Sequence, residues 1–453
     1  MTDEELGLGS TVVAAVRAAV AERSGVAPSA VDVRSARRLS GGASRLTWSV
    51  VVAPDVTVIV QCDRPGTEGA NLSMSTQAAI LRAARSAGVP VPEVLADGDD
   101  GGAGFVVLER LEGESLPRRL QRDDALTEAR ARLARDAGRI LAAVHSMEHA
   151  GIRLPSGDPV EQMVQLLDTL GEPHPAFEIG IRWLRANRPA PVSDTVVHGD
   201  FRMGNLLVAP SGVTGVLDWE LAHVGSPVED LGWFCGRAWR FGSPMRAGGV
   251  GSAEDLLEGY GDGGGRVPEL DELKWWEAYG TVRWGLICVL QASVHLEGHH
   301  RSVELAAIGR RAAEAEEDLL ELVAGPSAHQ PPAAEDAERS VELHDRPSAV
   351  ELLEAVGEHL DGLRSDLVGA ASFHLRVAGN VLAMVEREVA LGEASVAAHR
   401  GRLAALGVDD DAHLSAAIRS GALEERSSEV ATLVRATVRD KLAVANPGYW
   451  LGD

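Results

Sequence analysis

Residues 197–208 read Val197-His198-Gly199-Asp200-Phe201-Arg202-Met203-Gly204-Asn205-Leu206-Leu207-Val208, and Val216-Leu217-Asp218-Trp219-Glu220 follows shortly after. Apolar runs flank a polar loop that holds a histidine, a carboxylate and a carboxamide, and a second carboxylate closes the next run. Short strands are expected at Thr195–Val197, Leu206–Ala209 and Val213–Leu217. Hard divalent cations such as magnesium take oxygen ligands, few of them from protein, and leave the rest to substrate phosphates. Asn205 and Asp218 are oxygen ligands of that kind, which leaves Asp200 to accept a proton from an attacking hydroxyl.

Before this loop the chain changes character once. An amphipathic helix about Ser10–Arg23 precedes β-branched runs at Val31–Leu39, Leu46–Ala53 and Val56–Gln61, separated by turn residues. Apolar residues then recur at helical spacing over Leu72–Ala87, with Gly88 as a stop, and strands follow near Glu93–Ala96 and Phe105–Glu109. Beyond Leu111-Glu112-Gly113-Glu114 the pattern is mostly helical, near Asp123–Ser146 and Pro159–Asn187. Past Val323 comes a Pro-rich, small polar stretch, read as a linker over 326–345, and a helical segment over 346–453.

Composition narrows the function classes. A chain of 453 residues exceeds one comfortable core, so two or three domains are expected. Its 43 basic against 67 acidic residues give a net charge of -24, and no local basic patch offsets it, so neither nucleic acid nor a membrane is expected as partner. The acidic start lacks the pattern of a signal peptide, and no apolar run approaches the ~18 residues a membrane helix needs. A cytoplasmic location is therefore expected. Cys62, Cys235 and Cys288 are far apart and odd in number, which fits neither a disulfide framework nor paired zinc ligands. Only two of the 43 basic residues are lysines, Lys274 and Lys441, and neither follows the glycine pattern of a Walker A loop.

His198, Asp200 and Asn205 stand in the register of the protein-kinase catalytic loop, H-x-D with an asparagine further on, and Asp218 follows as the metal-binding aspartate would. Over roughly Leu39–Val323 the chain resembles the aminoglycoside phosphotransferase (choline-kinase-like) family, through His198-Gly199-Asp200 with Asn205 and through Asp218-Trp219-Glu220. The resemblance implies an α+β, protein-kinase-like bilobal fold. Its parts would be a β-rich nucleotide-binding lobe over 1–110, a helical catalytic and acceptor lobe over 111–325, and a separate all-α domain over 346–453. It also implies an ATP- and Mg2+-dependent kinase acting on a hydroxyl of a small molecule. Asp200 would be the catalytic base, Asn205 and Asp218 the magnesium ligands, and His198 a loop-ordering residue of the catalytic set. Glu220 reads either as a second-metal contact through water or as a solvated glutamate, and Asp230 either as a brace of the catalytic loop or as a helix cap.

The pattern is broken at one place. The family grips the nucleotide phosphates with a basic residue on the third strand, paired to a helix glutamate. Here the matching positions are Gln61 and Gln77, and a contact between two neutral amides would keep the helix position without charge. Compensation is expected from the Gly41-Gly42-Ala43-Ser44-Arg45 loop. Gly41, Gly42 and Ser44 would cover the phosphates with backbone amides, and Arg45 would bind them through its guanidinium, with Arg64 as a second candidate. The loop also reads as a plain hairpin turn, and either arginine as a solvated one. Phe105–Leu111 resembles the adenine-binding hinge, which makes Glu109 and Leu111 nucleotide-contact candidates.

Seven of the nine tryptophans lie between Trp183 and Trp284, a clustering that fits core packing or a large apolar hydroxyl substrate. The last segment resembles a small helical domain of unknown function accompanying phosphotransferases related to those fused to acyl-CoA dehydrogenases. That implies a hydroxyacyl or other apolar metabolite as acceptor in place of an aminoglycoside; a homodimer through the C-terminal helices is a further expected partner arrangement. Gln61 keeps a second reading open, a pseudokinase that binds nucleotide or metabolite and acts through its C-terminal domain.

Overall fold

The computed structural model describes residues 7–39, 45–53, 56–63, 72–326, 349–365 and 367–449. Gly41, Gly42, Ser44 and Arg64, with nearly all of the 326–345 linker, lie outside them. In chain order the elements begin with helix α1 (Ser10–Ser24), strands β1 (Val33–Arg38), β2 (Arg45–Val52) and β3 (Val56–Asp63), helix α2 (Met74–Ser86), and strands β4 (Val94–Asp100) and β5 (Ala103–Glu109). Helices α3 (Pro117–Arg122), α4 (Thr127–His145), α5 (Pro159–Leu170) and α6 (Pro175–Ala186) follow. Strands β6 (Thr195–Val197), β7 (Leu206–Ala209), β8 (Gly212–Val216) and β9 (His223–Gly225) lead to α7 (Val228–Cys235), α8 (Ala253–Asp262) and the long α9 (Leu270–Leu296). The chain closes with α10 (Val303–Gly309), α11 (Ala312–Ala324), α12 (Ala349–Ser365), α13 (Ala370–Leu406), α14 (Asp411–Ser420) and α15 (Ser427–Ala445).

These elements divide into two compact units, residues 1–157 with 191–273, and residues 158–190 with 274–453. The first holds the antiparallel sheet, in the order β1-β2-β3-β5-β4. Alternation explains its core. Val50 and Val52 on β2 and Val58 and Val60 on β3 are buried and pack with Val12, Val13, Val16 and Val20 of α1. Each such valine stabilises the sheet by roughly 1.5–3 kcal/mol relative to exposure. The expected strands and helices of this region are present, and one short strand was missed: β9, three residues long, pairs antiparallel with β6. The expected α+β kinase-like class, an antiparallel lobe followed by a helical region and an all-helical C-terminal domain, is the observed one.

In the second unit the helix expected across Pro159–Asn187 is two helices. Gly171 closes α5 in the left-handed region at φ 68°, and Pro173 and Pro175 prevent direct continuation. Ala176, Ala313, Leu320, Leu403, Leu406, Leu414, Ile418, Val434 and Leu442 form this unit's main apolar cluster. Beside it, α11 carries four buried acidic side chains, Glu314, Glu316, Glu317 and Asp318. Lys441 and His174 bond Glu316 at 3.0 and 2.8 Å, Arg439 lies 3.6 Å from Glu317, and the Tyr449 hydroxyl donates to Asp318 at 2.7 Å. Burial pushes the Glu316 carboxyl up, but the Lys441 charge and the His174 hydrogen bond outweigh it and bring it down to about 2. Along α12 and α13, by contrast, Leu352, Val356, Val385, Val389 and Val396 are exposed. Among the described residues no helix is long and apolar enough to cross a membrane.

Candidate functional site

The site grows from the β6–β9 pair and the β7–β8 hairpin, both in the first unit. Leu206 pairs with Val216, and the Leu217 amide donates to the Asn205 carbonyl at 2.9 Å, so the residues flanking the hairpin's base are held side by side. Asn205 and Asp218 occupy those two flanks. At the end of β6 the chain turns at Gly199, whose φ is +79° and whose missing Cβ would lie 2.4 Å from the Leu221 carbonyl oxygen. Gly199→Ala is therefore expected to cost about 2–3 kcal/mol and to disorder the loop. A thermal melt unchanged from wild type, with unchanged turnover, would contradict it.

Asp230 organises the loop from below. Its fully buried carboxylate accepts from His198 N–H at 2.8 Å and Gly199 N–H at 2.9 Å, while His145 of α4 stands 3.2 Å from Oδ2. The brace reading of Asp230 is the one the geometry shows; Pro227, not Asp230, stands at the start of α7. Burial pushes the Asp230 carboxyl up, and the hydrogen bond and charge of His145, with the donors at His198, reverse that and leave it below its usual value.

His198 is equally enclosed. Its Nδ1 accepts from the Asp200 amide at 3.1 Å and its Nε2 faces the Leu217 carbonyl at 3.0 Å, which fixes a neutral ring protonated at Nε2. Burial lowers its pKa against the opposing pull of Asp230 and Asp200. Both ring nitrogens thus bind backbone, tying the Asp200 loop to the strand end before Asp218, and Trp219 packs on the ring with centroids 4.5 Å apart.

The Asp200 carboxylate receives Arg202 Nε at 3.0 and 3.1 Å, Trp233 Nε1 at 3.0 Å and Asn205 Nδ2 at 2.7 Å. Asn205 Nδ2 also donates to the Asp200 carbonyl at 2.9 Å. With its nitrogen so engaged, Asn205 keeps its amide oxygen as an acceptor or metal ligand. Asp218 sits at φ 68°, a left-handed conformation that a non-glycine residue holds only at a cost of about 1–3 kcal/mol. The residue is exposed, while its carboxyl group is surrounded by protein groups on its inner side. That burial, then the charges of Glu220 and Asp200, push its pKa up to about 7, against the pull of Arg202 and Arg45.

Arg45, at the start of β2, is 9% exposed. It forms an ion pair with Asp63, donates to the Leu72 carbonyl, and directs Nε, which has no hydrogen-bond partner, to 3.8 Å from Glu220 Oε2. Gln61 pairs across the strands with Thr47, on the face that carries Arg45 and Asp63. Gln77 takes another partner than the amide contact expected with Gln61: its Nε2 donates to the Leu72 carbonyl at 3.1 Å. β3 carries no cation at Gln61, and on the same sheet face Arg45 of β2 is paired with Asp63. Glu109 ends β5 with its side chain facing Arg23 at 3.4 Å, and Leu111 packs where a Gly215 Cβ would meet it at 2.7 Å. The expected set thus gathers His198, Asp200, Asn205 and Asp218, with Arg45 reaching Glu220, while the Glu109 side chain is turned to surface arginines.

Sequence reasoning passed over His145, Arg202 and the Trp233 N–H, the last two in direct contact with Asp200. Trp219, Trp233, Trp239, Trp275 and Trp276 are nearly fully buried, so packing accounts for most of the tryptophan clustering.

The model of the phosphotransferase enzyme family matches residues 35–276. The chain belongs to that family. The resemblance drawn from residues 198–220 is borne out, and a second match, to the domain of unknown function DUF6285, covers residues 365–449 of the helical C-terminal segment. A crystal structure from Ralstonia eutropha JMP134, assigned to the aminoglycoside phosphotransferases, superposes on this phosphotransferase with a TM-score of 0.54. It is 22% identical and covers 69% of this chain and 98% of that one, a likeness of fold. The mouse protein named acyl-CoA dehydrogenase family member 10 is 33% identical over 176 residues, 34% of this chain and 16% of that protein. The chicken acyl-CoA dehydrogenase family member 11 is 30% identical over 172 residues, 34% of this chain and 22% of that protein. The matches thus span about a fifth of the length of these curated relatives.

Proposed function

We propose that this phosphotransferase moves the γ-phosphoryl group of ATP, bound with magnesium, to a hydroxyl of a small molecule. The observation that carries the reading is the grouping of the Asp200 carboxylate with the Asn205 amide oxygen and the Asp218 carboxylate at the base of the β7–β8 hairpin. The donor set fits magnesium: all oxygen, few from protein, and one of them a carboxyl whose pKa is raised by crowding that a cation would relieve. Asn205 and Asp218 would hold the ion, which when bound neutralises charge on the phosphates during transfer.

The residues of the chain do the rest by positioning. Asp200 accepts the proton of the acceptor hydroxyl as the new oxygen–phosphorus bond forms and the bond to the β-phosphate breaks, with ADP leaving. His198 and Asp230 hold the loop that carries Asp200, and Arg45 adds positive charge beside Glu220 where Gln61 has none. For the acceptor we favour a hydroxyacyl or other apolar hydroxy metabolite over an aminoglycoside, a choice supported by the similarity to proteins named acyl-CoA dehydrogenases. The replacement of a charged pair by Gln61 and Gln77 favours a second reading, nucleotide binding with little turnover.

The test is ADP release from ATP with magnesium over a panel of alcohols, hydroxy acids and hydroxyacyl thioesters. Turnover is expected with one class, and Asp218→Asn is expected to lower kcat by at least about 100-fold, partly restored by raised magnesium. Turnover that persists in EDTA, or none with any acceptor, would refute the reading.

A further inference from the structure

Helix α13 is 37 residues long and buries only Leu403 and Leu406, both in its last turn, whereas α4, 19 residues long, buries nine side chains or glycines. Among the described residues of α12, its connection and α13 as far as Arg402, none is buried. A helix keeps its shape in water mainly through the apolar face that it packs. An arm of two helices with no buried residue is therefore short of a partner.

The exposed apolar residues of the arm are not scattered. Leu352, Val356 and Leu363 on α12, and Val385, Val389 and Val396 on α13, are each 41–54% exposed and share one spacing, i, i+4, i+11. At about 100° per residue that spacing keeps each trio within a stripe about 40° wide. With so much of each residue in solvent, neither stripe is the seam between the two helices. On α13 the stripe also turns away from α15. Arg387, whose Nε donates to the Val444 carbonyl at 2.7 Å, lies about 200° around the helix from Val385, and Glu388, bonded by Arg310 at 2.6 Å, marks the stripe's edge. Helix α13 is thus held on one side and bare on the other.

A second copy fits such a face. Where α12, 17 residues long, runs beside α13 the arm is about 25 Å long and 20 Å wide, and α13 alone carries on to Val396, about 600 Å² in projection. A corrugated helix surface exceeds its projection, so the area approaches the about 800 Å² per partner of a standard interface. An extended segment would cover one groove, whereas another pair of helices covers both stripes and closes a four-helix bundle with a core. Charge sets the alignment, because a net charge of -24 opposes self-association wherever like faces like. Glu354 and Glu358 lie toward the base of α12, and Arg364 and Arg376 flank the turn at the tip. Arg364 is 3.6 Å from Asp361, and Arg376 stands over the Phe373 ring with Cζ 5.3 Å from its centroid. Antiparallel pairing about a two-fold axis sets the two glutamates of each copy toward the two arginines of the other, and parallel pairing sets like toward like.

We propose that α12 and α13 form a dimerisation arm: two copies of the chain lay their arms face to face and antiparallel, burying the apolar stripes of both in a four-helix bundle. The pairing requires neither nucleotide nor acceptor and stands apart from the phosphotransfer reading.

Sedimentation equilibrium on the full chain is the test, and twice the chain mass is expected at about 10 μM. Val356→Glu and Val389→Glu, one on each stripe, are each expected to weaken the dimer at least about a hundredfold. Tryptophan fluorescence is expected to stay unchanged in both, since no tryptophan lies on the arm, and this shows that the rest of the chain stays folded. Glu354→Arg with Glu358→Arg is expected to weaken the dimer about tenfold, as is Arg364→Glu with Arg376→Glu, and all four changes together to restore it. A monomer at that concentration, or a dimer that either stripe variant leaves intact, would overturn the arm. Charge reversals that have no effect singly, or whose combination fails to restore the dimer, would overturn the antiparallel arrangement.

Discussion

Asp200→Asn is expected to lower turnover about a thousandfold while nucleotide binding is retained. Two effects combine. The amide cannot take the hydroxyl proton, and its NH2 group would face donors: Arg202, Trp233 and Asn205 all point hydrogens at the carboxylate. Because Asp200 itself does not hold the nucleotide, a change in AMP-PNP affinity of less than about threefold, alongside lost turnover, is the expected signature. The comparison is single-turnover kinetics and calorimetry on the two proteins. Retention of more than a tenth of wild-type kcat would show that another group accepts the proton.

Asp230→Ala is expected to destabilise the first unit by about 3–5 kcal/mol, because it strands the buried His198 and Gly199 amide hydrogens and leaves His145 without its carboxylate. The pH dependence has a definite sign. The Asp230 carboxyl titrates below its unfolded value, so its contribution is complete above about pH 4 and is lost as pH falls toward its folded value. Denaturation curves of wild type and variant are therefore expected to differ fully at pH 7 and to converge in acid. A difference under about 1 kcal/mol at pH 7, or one that widens on acidification, would contradict the brace. Asp230→Asn, able to accept only one of the two amide hydrogens, is expected to fall between them.

The separation of these partners along the chain explains what the sequence made visible. Asp200 and Asn205 bond each other within one loop, and Asp218 follows from a hairpin whose two strands are local, so spacing alone exposed them. His145 reaches Asp230 from 85 positions away, on a helix whose other residues read as ordinary core, and Trp233 reaches Asp200 from 33 positions away. Such contacts exist only after packing, and no local pattern marks them. Arg202 was in view but looked like one more arginine in an arginine-rich chain. Gln61 and Gln77 were legible as a loss of charge. Arg45 was legible as the compensating arginine, but its ion pair with Asp63 was not, because that depends on the β2–β3 register that sets the two opposite each other. Likewise β9 is too short to show a period of its own and is held by pairing with β6.

The four carboxylates of α11 have a consequence for how this gene can be rearranged. Three of their partners, Lys441, Arg439 and Tyr449, belong to the far end of the polypeptide, inside the stretch matched by DUF6285. A transplant that carried α11 into a chain with some other tail would keep Arg311 beside Glu314 but lose the Lys441 and Arg439 charges and the Tyr449 hydroxyl that face Glu316, Glu317 and Asp318. The last hundred or so residues are thus no removable passenger: recombination at the proline-rich stretch would have to exchange lock and key together.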